Sequence, residues 1–189
     1  MASISDYARL FAIEYLPMGL TGIFLGAVFS FGGLPNTSVI FGLASFSLII
    51  FGYNAYNAII DKDIDKINKP YRPLPMGVLT EKDAYLAAVL CYIGALILAY
   101  IAGSLYFWIT IPAIVLTILY SVPFLYLKKR LIFGTLSATI LYTVIAPLLG
   151  WSLYSQNSEI VLYLIIFLFF LGLPKAILKD FVDIPGDEY

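Results

Sequence analysis

The chain has 189 residues, of which 61% are hydrophobic and only 12% charged, and its net charge is −1. That balance excludes a soluble globular domain, a disordered tail and a nucleic-acid binder with a basic face, and it points to a polytopic helical membrane protein. With no histidine and the single cysteine Cys91, the chain has no means of imidazole catalysis, thiolate-metal binding or internal disulfide formation, so any metal it holds is hard and oxygen-bound.

Taken in chain order, six apolar stretches predict membrane helices at residues 10–31, 39–60, 84–102, 105–127, 131–154 and 160–178. Each is long enough to cross a hydrocarbon layer of ~30 Å. The first is too long for a signal-peptide core and lacks a small-residue cleavage site, so it reads as a retained span. The runs are continuous rather than alternating, which favours helices over a porin-type barrel. The expected fold class is all-α, a polytopic transmembrane helical bundle forming a single domain over residues 1–189.

Charge supports the span count. All eleven lysines and arginines fall at Arg9, in the second and fourth connectors, or at the end of the sixth span. With six spans these places share one face, which the positive-inside rule makes cytoplasmic, with both termini inside. Most of the twelve acids crowd onto the same face, although acids do little to set topology.

Those acids have helical spacing. At the end of the second span, Asn57, Asp61 and Asp65 stand four residues apart; if the helix continues they form one stripe, with Asn54 a turn deeper. At the end of the sixth, Asp180 and Asp183 share a face, and Pro185-Gly186 is expected to break the helix before Asp187. One aspartate at a helix end is ordinarily just solvated, but two such clusters at one face repel unless a cation lies between them. Mg²⁺ suits that place, because it takes carboxylate oxygens and waters and shares its shell with substrate phosphates. Between the clusters, Pro70, Pro73 and Pro75 stiffen a loop that presents Arg72 with little freedom, and a fixed guanidinium suits phosphate.

At these residues the sequence resembles the UbiA superfamily of intramembrane prenyltransferases. Asn57-Ala-Ile-Ile-Asp61-Lys-Asp-Ile-Asp65 is similar to the first aspartate motif, with Ala58 where an aspartate is usual. Asp65-Lys-Ile-Asn-Lys-Pro-Tyr-Arg72-Pro-Leu-Pro-Met-Gly77 resembles the family loop, most of all in the geranylgeranylglyceryl phosphate and chlorophyll synthase branches. Lys179-Asp180-Phe-Val-Asp183-Ile-Pro-Gly-Asp187 resembles the second aspartate motif, and Tyr120-Ser121 with Pro123 and Lys128 resembles the end of the family's fourth helix.

The resemblance implies two Mg²⁺ ions holding the diphosphate of a prenyl donor in a prokaryotic cell membrane. It carries over Asn57, Asp61, Asp65, Asp180, Asp183 and Asp187 as metal ligands or their neighbours. Asp61, Asp65, Asp180, Asp183 and Tyr120 are the candidate catalytic groups. Asn54, Asn57, Arg72, Ser121, Lys128 and Lys179 are the candidate substrate contacts, with Lys62 a further one. Tyr120 would stand in an aromatic wall beside an allylic cation, and the acceptor would be lipophilic or aromatic. The resemblance also implies about nine helices, of which the six read here would be the first six. It departs at Ala58, which removes one carboxylate, and at Glu14 before Pro17, where a basic residue is common.

Other classes compete with this reading. A small transporter with an acidic cytoplasmic vestibule predicts ionisable groups near the midplane, and the spans hold almost none. A CDP-alcohol phosphotransferase needs a D-G-x-x-A-R element that the residues before Asp61 lack. A catalytically incomplete fragment is the remaining alternative.

Overall fold

The computed structural model describes residues 3–122, 136 and 139–187, with side chains described as far as residue 174. Its helices are α1 (Ile4–Phe11), α2 (Leu16–Phe31), α3 (Ser38–Ile60), α4 (Lys62–Asn68), α5 (Glu81–Ala102), α6 (Ser104–Ser121), α7 (Ala146–Ser152) and α8 (Ser158–Asp187). A 3₁₀ turn, Ile13–Tyr15, precedes α2, and a π-helical turn, Leu141–Ile145, leads into α7. Among the described residues there is no strand, and the all-α bundle expected from the sequence is what forms.

Four segments are long and apolar enough to cross a membrane: Ile13–Phe31, Ser38–Ile60, Glu81–Ala102 and Ser104–Ser121. The fifth and sixth predicted spans correspond to the described apolar helices Leu141–Ser152 and Ser158–Pro174. The protein is an integral membrane protein.

Small residues set the packing. In lipid, helices gain little from hiding apolar surface against one another, so close van der Waals contact has to hold them. The inner face of α5 carries Ala84, Ala88, Cys91, Ala95 and Ala99, all buried, and it lies along α3. Its opposite face exposes Leu86, Leu90, Ile93 and Ile97, the stripe that lipid covers. α3 is the hub, packing on α1, α2, α5 and α6. Hydrogen bonds also tie the spans, among them Ser45 Oγ to the Ala95 carbonyl at 2.8 Å, Tyr106 Oη to the Gly42 carbonyl at 2.7 Å, and Tyr92 Oη with Thr117 Oγ1 at 3.0 Å.

The tightest crossing joins α2 to α7. A Cβ on Gly26 would run into the Pro147 carbonyl, and one on Gly150 would meet the Ile23 carbonyl and stand 2.8 Å from the Ala27 nitrogen.

Two expectations change. The first span is not one helix. Ala12 takes a left-handed conformation, φ 47°, and the chain makes a 3₁₀ turn before α2. The reason is Pro17, whose ring would clash with the Ile13 carbonyl if an α-helix ran through. The sixth helix also does not break at Pro185-Gly186 but runs to Asp187. The proline removes one N–H from the ladder, and the helix continues past it.

Substituting Gly26→Val is expected to destabilise the protein by about 1–3 kcal/mol through overpacking, read as a lower thermal midpoint in detergent. Gly33→Ala, where the added carbon meets only a Phe31 ring atom at 3.9 Å, should leave the midpoint unchanged.

Candidate active site

The acidic stripe begins inside α3 and continues in α4. Asp61 sits between the two helices with φ −90° and ψ 3°, a slight kink rather than a break. The backbone ladder passes straight through it: the Asp61 amide donates to the Asn57 carbonyl at 2.9 Å, and the Asp65 amide to the Asp61 carbonyl at 2.7 Å. Asn57, Asp61 and Asp65 therefore remain in line.

Both carboxylates are nearly closed off, Asp61 at 4% exposure and Asp65 at 3%. A buried charge demands partners, and each has one. Asn57 donates its amide to Asp61 Oδ2 at 2.6 Å. Arg72 donates to Asp65 Oδ2 at 2.7 Å, with both side chains largely buried. The loop that holds Arg72 is rigid for visible reasons. Successive turns are closed by Arg72 N–H to the Lys69 carbonyl, Met76 N–H to the Arg72 carbonyl and Val78 N–H to the Pro73 carbonyl. Leu74 and Leu79 plug it into the cluster formed by Ala55, Ala58, Ala84 and Ala88.

The remaining expected residues fall as follows. Ser121, buried at the end of α6, donates to Asn57 Oδ1 at a long 3.4 Å, so α6 reaches the stripe. Tyr120 is buried and packs edge-on against Tyr53, ring centroids 5.7 Å apart. Asn54 turns to the first helix, donating its amide to the Phe11 carbonyl at 2.7 Å, a group left free where α1 ends. Lys62 pairs with Glu81 at 2.7 Å, and that carboxylate holds the ammonium above its ordinary lysine range. Glu14 lies exposed in the 3₁₀ turn. Lys128 lies outside the described residues. Lys179, Asp180, Asp183 and Asp187 occupy the final turns of α8, where only the backbone is described.

The second acidic cluster is brought to the first by α8. This helix starts at the opposite face, where Asn157 donates to the Ser30 carbonyl at 3.1 Å. Its 30 residues extend about 45 Å, and α8 packs against α4. The stretch that reaches α4 is thus its far end, carrying positions 180, 183 and 187.

The donor chemistry suits a hard divalent cation: carboxylate and amide oxygens, with no histidine in the chain. Among the described residues no three acids converge on one point. The α3–α4 stripe supplies two of them.

The profile of the UbiA prenyltransferase family matches residues 19–189. The chain belongs to the UbiA prenyltransferase family. Its relatives include digeranylgeranylglyceryl phosphate synthase of Pyrococcus horikoshii, 32% identical over 90% of this chain and 60% of the relative, and that of Pyrococcus furiosus, 34% identical over the same shares. The chain thus spans about 60% of the length of these curated relatives. A UbiA homologue of Archaeoglobus fulgidus solved with GPP and Mg²⁺ superposes with a TM-score of 0.83 over 97% of this chain and 66% of its own, at 20% identity.

Within the UbiA frame, Ala58 gains a physical reading. It is buried at 4% among Leu74, Leu79, Ala84 and Ala88. One residue on from Asn57 is a turn of about 100° around the helix, so this position faces α5 and not the stripe. The alanine fills an apolar contact there. Tyr53, whose ring packs on Tyr120, stands one step back along the four-residue spacing of 57, 61 and 65.

Replacing Arg72 with Met would leave Asp65 buried without its counter-charge. The expected cost is about 3 kcal/mol, measured as a fall in thermal midpoint. The double variant Asp65→Leu with Arg72→Met should recover most of it.

Proposed function

We propose that the protein transfers a polyprenyl group from a prenyl diphosphate to a lipophilic acceptor, at the cytoplasmic face of the membrane, with Mg²⁺ as cofactor. The observation that carries this reading is the packing of α8 against α4, which sets two aspartate-bearing helix ends side by side. Family membership and the ligands of the Archaeoglobus fulgidus homologue support it. The cytoplasmic assignment rests on the basic residues, which share one face.

Asn57, Asp61 and Asp65 from one side and Asp180, Asp183 and Asp187 from the other would hold the metal, two ions in this reading. When bound, the metal supplies positive charge that stabilises the departing diphosphate. The chain's own groups do the rest. Arg72 fixes the orientation of Asp65, so that carboxylate is presented in one geometry before any ligand arrives. Asn57 does the same for Asp61. Lys128 and Lys179 are proposed contacts for diphosphate oxygens, with Arg72 able to add a second donor from the same guanidinium. Tyr120, buried next to the stripe, offers its ring to the allylic carbon as charge develops there. The surrounding apolar bundle keeps water from that carbon.

The acceptor is proposed to be a glycerophosphate lipid rather than an aromatic ring. The relatives are named for a product bearing two geranylgeranyl groups on one glyceryl phosphate. Removing one such group leaves a singly prenylated glyceryl phosphate as acceptor and a geranylgeranyl diphosphate as donor.

The test is diphosphate release from geranylgeranyl diphosphate in nanodiscs carrying the protein, with Mg²⁺ and then with EDTA. Release should depend on the metal and fall at least about 100-fold in Asp61→Asn and in Asp180→Asn. Unchanged release in both variants would refute the assignment.

A further inference from the structure

We propose that the first turn of α5, with the tight turn before it, binds the headgroup of an anionic phospholipid through Lys82. The site lies on the lipid side of α5, away from α3 and the carboxylate stripe, so it is separate from prenyl transfer.

Helix length puts this turn at the right depth. The 22 residues of α5 extend about 33 Å, little more than a hydrocarbon layer of ~30 Å. With the apolar middle of the helix in that layer, residues 81–83 stand at headgroup level. Lys82 also falls on the stripe that lipid covers. Positions 82, 86, 90, 93 and 97 recur at helical spacing, and all are exposed. Helical side chains lean towards the N-terminus, so the Lys82 ammonium rises out of the hydrocarbon rather than into it.

The two acids beside Lys82 are engaged elsewhere. Glu81 pairs with Lys62 at 2.7 Å. Asp83 accepts from the Thr80 amide and hydroxyl, at 2.9 and 2.7 Å, in the helix cap. Lys66, also exposed, is held by Asp63 at 2.7 Å. Among the described residues Lys82 makes no ion pair. A cation facing lipid at headgroup depth has a lipid phosphate as its counter-ion.

The apolar surroundings fit the same occupant. Tyr85, one turn into the helix, is more than half exposed and stands where an interfacial belt tyrosine would. Met76 and Val78 are exposed just before the helix. Their turn is held in place, because Gly77, with φ 70°, donates its amide to the Leu74 carbonyl at 3.0 Å, and Leu74 and Leu79 are packed into the cluster beneath. The lipid-facing stripe thus runs on past the helix start. The other end of α5 differs. Tyr100 and Ile101 are exposed there, but no lysine or arginine occurs between Lys82 and Lys128, so of the two ends only this one can hold an anion.

The test titrates the 189-residue protein in neutral detergent with phosphatidylglycerol, or with phosphatidylcholine of the same acyl chains, and reads bound lipid by native mass spectrometry. The wild type should prefer phosphatidylglycerol. Lys82→Gln should lower that preference about fivefold, and Lys82→Arg should keep it. Lys66→Gln should change it less, because that lysine already faces a carboxylate. Inorganic phosphate should compete no better than potassium chloride of equal ionic strength, since a free ion gains nothing from the apolar belt. Photoreactive benzoylphenylalanine at position 76 or 85 should cross-link to lipid in nanodiscs. The site would be overturned by a wild type without preference, an unchanged preference in Lys82→Gln, or an equal loss in Lys66→Gln. Specific competition by inorganic phosphate, or cross-links from both positions to a second copy of the chain, would overturn it as well.

Discussion

Two carboxylates buried at the end of a membrane helix impose the arrangement around them. Asp61 and Asp65 stand one turn apart and are nearly closed off from solvent, so each needs a partner for its buried oxygens. The fold answers with an amide on one and a guanidinium on the other. Those two answers dictate much else. Arg72 can reach Asp65 only because the loop between α4 and α5 folds back over the helix end, and that return is held by Leu74 and Leu79 in the apolar cluster beside α5. Asn57 can hold Asp61 only because the backbone ladder crosses the kink unbroken.

Four of the spans were legible because lipid solvent makes apolar runs long. The stripe at 57, 61 and 65 was legible because helical periodicity needs no knowledge of partners. What escaped depended on partners. Nothing around Ala12 advertises a left-handed residue; the break follows from where Pro17 must begin a helix. Asn54 read as a substrate contact, yet its amide is engaged by the carbonyl that the break at α1 leaves free. Pro185-Gly186 read as a helix breaker by composition, but the helix continues through both to Asp187.

Family membership and the reading of the site draw on different parts of the molecule. The family match covers most of the chain, while the chain covers about 60% of the curated relatives. The proposed site draws on a smaller region, the C-terminal ends of α3, α6 and α8 with α4 and its loop. These parts share a logic: among the described residues, polar groups cluster at helix ends, and the side chains deeper in the spans are mostly apolar, tyrosine or hydroxyl-bearing.

The π-turn has a consequence for how the fifth span divides its loyalties. In a regular helix, Thr139, Thr143, Pro147 and Gly150 would all fall on one side. In this structure Thr139 and Thr143 lie against Gly172 of α8, whereas Pro147 and Gly150 lie against α2. One surplus residue advances the phase by about 100°, so a single stripe of small side chains is split between two neighbours. The span acts as a mortise cut on two faces, joining α2 to α8 without needing a second stripe.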